Sequence, residues 1–221
     1  MNKHNDHIYM EMFGYVKEAL AGVDVAATKN RSFPFRKRSE HIWRVYQWAK
    51  RLIASYGACG EIDAAPLLTA AVFHDSGYAL SVGGATPHAE NSAVFFERYA
   101  AEKGLAGEKI DYAKYLIANH SNKHLLGEED TPIELVLLME ADLLDETGAM
   151  SIVWDCMAEG GREEQSFLKT YRHMESFSGD MLSSNPMKTK KAREIWAGKQ
   201  DLYREFLRHL AYDLAADEQP G

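Results

Sequence analysis

Cysteine is scarce: the 221 residues include two, Cys59 and Cys156, far apart and in no CxxC spacing. That usage fits a reducing cytosol and leaves no structural zinc knuckle. Long apolar runs are missing as well, and none approaches the ~20 residues that a membrane-spanning helix needs. The first ten residues carry His4, Asp6 and His7 and lack the apolar stretch of a secretory signal. Positive charge is in deficit, with 25 Lys and Arg against 33 Asp and Glu for a net charge of -8. This argues against general nucleic-acid binding, because polyphosphate backbones are held mainly by clustered cations. The expectation is a cytoplasmic protein without a membrane or nucleic-acid partner. A small anionic substrate stays open where positive charge is local or supplied by a metal.

Strand-like alternation is also rare, whereas apolar residues recur at three- and four-residue spacing, as in Ile42, Val45, Tyr46, Ala49, Leu52 and Ile53. Glycine and proline punctuate the chain, and segments of helical length lie between them. The pattern predicts helices near 6–21, 38–56, 64–75, 88–103, 108–120, 131–146, 149–158, 163–178 and 187–214. A chain of this length can bury a sizeable core. The predicted fold is all-α: one compact multi-helix bundle over 1–221, with its core at about 36–158 and the N-terminal and C-terminal helices packed on it.

The most informative segment is AAVFHDSG, Ala70 to Gly77, where a helix apolar on nearly every side ends in His74 and Asp75. A helix C-terminus carries partial negative charge, and a buried unpaired carboxylate costs several kcal/mol or more, so Asp75 needs a cationic partner. His41 shares a stripe with Val45 and Leu52, and Asp142 shares one with Leu135, Leu138 and Met139, so both face the core. Three helices thus deliver imidazoles or carboxylates inward with no evident buried Lys or Arg between them. Two imidazoles and two carboxylates suit a divalent Mn, Fe, Zn, Co, Ni or Mg ion with positions left for water and substrate. Asp145, one helical turn beyond Asp142, is placed to orient a ligand or act on a proton, or is a solvated carboxylate at a helix end. Glu140 faces elsewhere and receives no role. Lys123 and Arg44, with Arg38, are the basic groups nearest these ligands and are the candidate phosphate contacts.

The order His41, then His74 and Asp75, then Asp142 resembles the signature of the HD-domain metal-dependent phosphohydrolase superfamily. HAENSA at His88, IANHS at Ile117 and ADLLDETGA at Ala141 extend the likeness over about two thirds of the chain. The tail from Met187 is similar to the last helix of the small bacterial HD hydrolase and nucleotide pyrophosphohydrolase branch. The resemblance implies a bundle with a metal site between core helices, and a small phosphorylated substrate, best guessed as a nucleotide. It implies that His88 and His120 hold a second ion bridged by Asp75; contact with phosphate or water, or a supporting hydrogen-bonding role, are the alternatives. His173 stands where the nucleotide-hydrolysing branch carries a histidine, and Trp154 stands where relatives often carry an arginine. Two other functions stay open: a non-catalytic metal or nucleotide-binding regulatory module, and oxygen-dependent cleavage at a di-iron centre. Homodimer formation is left open too.

Overall fold

The computed structural model describes residues 3–28, 35–56, 62–80, 87–177 and 183–216. Cys59 lies outside them, as does most of the glycine-rich stretch before His88. Among the described residues the structure is helical, with no strand. The helices are α1 (Lys3–Ala19), α2 (Ala21–Thr28), α3 (Arg38–Tyr56), α4 (Ala64–Phe73), α5 (His88–Glu102), α6 (Glu108–Asn119), α7 (Ile133–Asp145), α8 (Ala149–Gly160), α9 (Phe167–Phe177) and α10 (Lys190–Leu214). Short 3-10 turns follow α4 at Ser76–Ala79 and α6 at Lys123–Gly127. The chain divides into two compact units, the first ending at Asp145 and the second running from Glu146.

In the first unit α4 is the axis. Pro66 to Phe73 are all buried, and α4 packs on α1, α3, α6 and α7. Its near-continuous apolar sequence leaves no solvent face, and burying each Leu or Phe contributes roughly 1.5–3 kcal/mol. Helix α3 presents Ile42, Val45, Tyr46, Ala49 and Leu52 to this axis, and His41 lies on the same buried side. Helix α7 is buried from Glu134 to Ala141 on both of its faces. Glu140, which faces elsewhere than Asp142, is fully buried as well.

Helix α2 was not expected, since its eight residues AGVDVAAT are apolar without a clear stripe. It supplies a cap that α3 lacks in its own sequence. Asp24 accepts from the Arg38 backbone N–H at 2.7 Å and the Ser39 N–H at 3.4 Å, and the Ser39 hydroxyl donates to its other oxygen. Free N–H groups at the start of α3 thus find a carboxylate where the helix dipole favours one.

Gly77 joins the turn after α4 to α5. A methyl group there would lie 2.3 Å from the His88 carbonyl oxygen and 2.3 Å from the Ser92 nitrogen, both backbone atoms that cannot move aside cheaply. The Gly77 N–H donates to the Ser92 hydroxyl at 2.8 Å. Only glycine lets the first turn of α5, and His88 with it, approach the segment that carries Asp75.

In the second unit α8, α9 and α10 pack on one another. Thr189 caps α10 by accepting from the Ala192 N–H at 3.3 Å. The Trp196 indole and the Gln200 amide both donate to the Ser184 carbonyl, at 2.9 and 2.8 Å, and tie the preceding segment to the helix.

Gly77→Ala is expected to destabilise the protein by about 1–3 kcal/mol, the usual cost of overpacking, and to lower Tm by several degrees. Thermal unfolding followed by circular dichroism checks this. An unchanged Tm would mean that α5 does not need the close approach.

Candidate metal centre

Five ligand-type side chains of the first unit meet around the Asp75 carboxylate, which is 3% exposed and so shielded from bulk water. His74 and Asp75 follow directly on α4, whose last turn points at the centre. His41 reaches in from the first turn of α3, His88 from the first residue of α5, His120 from the end of α6 and Asp142 from the last turn of α7.

The two oxygens of Asp75 face different partners. Its Oδ2 lies 3.6 Å from His41 Nε2 and 3.8 Å from His74 Nε2. Its Oδ1 lies 3.4 Å from His88 Nε2 and 3.6 Å from His120 Nε2. Asp142 joins the first group, with Oδ1 at 3.2 Å from His41 Nε2 and 3.9 Å from His74 Nε2. Donor atoms of His41, His74 and Asp75 all lie within 4.8 Å of one another, and so do those of Asp75, His88 and His120. Each trio has the spacing to hold a divalent ion, with Asp75 common to both.

Hydrogen bonds on the far side of the His41, His74 and His120 rings fix which nitrogen faces inward. The Nδ1–H groups of His74 and His120 donate back into their own helices, to the Ala71 carbonyl at 3.0 Å and the Ile117 carbonyl at 2.7 Å. A carbonyl can only accept, so Nδ1 carries the hydrogen and neutral Nε2 turns a lone pair to the centre. His41 Nδ1 donates to Asp145 Oδ2 at 2.8 Å. Asp145 is itself held by Arg44, whose Nε and Nη2 donate to its two oxygens at 2.7 and 3.0 Å. Of the roles read for Asp145 in sequence, this geometry supports orienting His41. It lies behind that ring, and Arg44 is engaged there with it.

These lone pairs are crowded. His41 Nε2 and His74 Nε2 stand 3.3 Å apart, a separation that two neutral acceptors sustain only with a proton or a cation between them. Burial alone would push His41 down, but the hydrogen bonds it donates to Asp142 and Asp145 and the charge of Asp75 outweigh it and bring the imidazole up to about 9. Burial depresses His74 to about 4, against the charge of Asp75 and with help from His120 and His41. Burial opposes ionisation of Asp75 and Asp142, yet their surroundings hold both below the usual carboxylate range: His74, His120 and Arg38 for Asp75, His41 and Lys123 for Asp142. Anionic carboxylates among imidazoles, once His41 gives up its proton, are the donor set of a hard-to-borderline divalent ion.

The expected phosphate contacts lie close by. Arg38 donates to Asp75 Oδ2 at 2.7 Å, and Lys123 to Asp142 Oδ2 at 2.6 Å. His173 is carried by the second unit, where its two ring nitrogens stand 3.6 Å from Asp155 and 3.5 Å from Glu159. Two residues went unassigned in the sequence reading. Tyr78 stacks on His88 with centroids 5.1 Å apart and carries the Arg38 guanidinium 4.1 Å over its ring. Ser121 places its hydroxyl 2.9 Å from His88 Nε2 and 3.2 Å from His120 Nε2. An aromatic three residues after the HD pair and a serine after His120 were both visible, yet nothing in their spacing separated them from ordinary turn residues.

The HD domain family matches residues 38–147. No curated protein matches the sequence. Two solved structures share the fold. A predicted HD superfamily hydrolase from an uncultured Thermotogales bacterium aligns with a TM-score of 0.61 and 20% identity, over 93% of this chain and 92% of the other. A structural-genomics target from Lactobacillus plantarum aligns with a TM-score of 0.58 and 17% identity, over 98% of this chain and 99% of the other.

Because His41 is raised above its ordinary 6.5, its stabilising contribution in chelated protein is present in full below pH about 6.5 and is lost as the pH rises through about 9. A divalent ion taken up at pH 7 to 8 must displace that proton. Calorimetric titration of chelated protein with Mn(II), in buffers of different ionisation enthalpy, is expected to show proton release. Buffer-independent heats would mean that His41 binds no ion or is already neutral.

Proposed function

Since the chain belongs to the HD-domain superfamily, through a segment that spans the whole His and Asp cluster, we propose that it is a metal-dependent phosphohydrolase acting on a small phosphorylated substrate, with a nucleotide as the preferred class. The observation that carries this reading is the Asp75 carboxylate, with one oxygen toward His41 and His74 and the other toward His88 and His120. His41, His74, Asp75 and Asp142 would hold a first ion, and His88, His120 and the same Asp75 a second.

Charge supports a phosphate substrate. Two divalent ions held by four neutral imidazoles and two carboxylates leave the centre positive, and Arg38 and Lys123 beside the same carboxylates add to it. A multiply charged anion is the natural complement to such a site. When bound, the ions supply the Lewis acidity that activates water and neutralises charge on phosphoryl oxygens. The chain contributes the rest. Asp145, fixed by Arg44, keeps His41 in one tautomer and one orientation. Carbonyls of α4 and α6 do the same for His74 and His120. Arg38 and Lys123 are placed to hold non-bridging oxygens, and partial exposure of Asp142 and Lys123 opens that side of the centre to solvent.

Asp75→Ala is expected to remove bound metal and hydrolytic activity together while the far-ultraviolet circular dichroism spectrum stays that of the native protein. Metal-replete enzyme tested against nucleoside mono-, di- and triphosphates, with phosphate and pyrophosphate detected separately, identifies the scissile bond. Wild-type turnover by the Asp75→Ala variant on every substrate cleaved would overturn the assignment. Lys123→Ala should raise KM for the phosphorylated substrate with metal content unchanged, and an unaltered KM would take Lys123 out of the site.

A further inference from the structure

We infer that the Ser121 hydroxyl is a fourth protein donor to the ion held by Asp75, His88 and His120; this inference rests on the two-ion reading above.

The first observation is distance. Two donors at right angles on an ion with bonds near 2.1 Å are roughly 3 Å apart. Ser121 Oγ stands 2.9 Å from His88 Nε2 and 3.2 Å from His120 Nε2, so it meets both imidazoles at the separation of neighbouring ligands. The same two nitrogens are 3.4 and 3.6 Å from Asp75 Oδ1. Ser121 is as close to the ring nitrogens as the carboxylate that both face.

The second observation is an imbalance of donors and acceptors. His120 Nδ1 spends its hydrogen on the Ile117 carbonyl, so its Nε2 is an acceptor. Asp75 Oδ1, a carboxylate oxygen 3.4 and 3.6 Å from the two ring nitrogens, is an acceptor too. The serine hydroxyl brings one hydrogen to two imidazole nitrogens and can satisfy one of them. Hydrogen bonds satisfy these groups only with the His88 hydrogen on Nε2; with that hydrogen on Nδ1, as a ligand requires, a cation answers all four groups at once.

The third observation is position. Ser121 is exposed, while Asp75 and His120 are buried, so its oxygen closes the solvent-facing side of the trio. Its backbone follows His120 directly at the end of α6, which fixes the pair against one helix terminus. A neutral hard oxygen in place of a third imidazole would tilt this position toward Mn(II) or Mg(II) and away from softer ions.

Cobalt(II) is the direct probe, because thiolate ligation to it produces a near-ultraviolet charge-transfer band that a neighbouring but uncoordinated thiol does not. Wild-type protein should bind two equivalents of Co(II) without such a band. Ser121→Cys should bind two equivalents and show the band on the second equivalent. Ser121→Ala, titrated with Mn(II), should lose affinity for the second ion on the order of ten- to a hundred-fold with the first unchanged, and Ser121→Thr should restore it. If wild-type protein binds a single ion, the two-ion reading fails and this inference with it. If wild-type protein binds two, but Ser121→Cys shows no band or Ser121→Ala keeps its second-ion affinity, Ser121 is not a ligand and the two-ion reading stands.

Discussion

The fold is organised around one electrostatic demand: the charge of Asp75 must be met inside the protein. The carboxylate is 3% exposed and follows a helix that has no solvent face. Left alone at the negative end of that helix it would be among the most costly groups in the molecule. Instead, four imidazoles turn their Nε2 atoms toward it and one guanidinium donates to it at 2.7 Å. Helices α3, α5 and α6 each bring at least one of these groups. The packing of the first unit is therefore also the assembly of its site.

The helix termini make that convergence reproducible. Helices α4 and α6 end in the same way, with a histidine in helical conformation whose Nδ1–H returns to the carbonyl three residues earlier. Each ring takes up a carbonyl that the helix end leaves without an N–H partner, and each is thereby locked with its lone pair outward. The partial negative charge of both termini then falls where a cation would sit. No separate scaffold is needed to orient these two ligands, since each helix end does it.

Much of this was legible in the sequence because it depends on periodicity. Nine predicted segments correspond to observed helices, and the inward placement of His41 and Asp142 followed from the buried stripes they share. What escaped prediction depends on tertiary contact. Helix α2 is short and uniformly apolar, and its Asp24 gains meaning only by capping α3 from outside that helix. That α7 is buried on a second face, at Glu140 as well, could not be read from a stripe that describes one face. Arg44 was a candidate for substrate since it lies one turn from His41, but the same turn brings it to Asp145 in a two-point contact. Spacing along a helix shows which side chains are neighbours and leaves open which of them are already paired.

Pairing of this kind also bears on how the proposed site would work. Arg38 and Lys123 donate to Asp75 Oδ2 and Asp142 Oδ2, oxygens of the same two carboxylates that the proposed ions would claim. A divalent ion concentrates more charge at a carboxylate oxygen than a guanidinium or ammonium can, so a bound ion would weaken the hold of both side chains on these partners. An anionic substrate would then compete for both. Arg44 differs, because its partner Asp145 lies behind His41, outside both trios around Asp75. On this view the basic residues near the centre divide by the carboxylate they meet: those on ligand carboxylates become available to phosphate, and the one on the orienting carboxylate keeps the framework rigid.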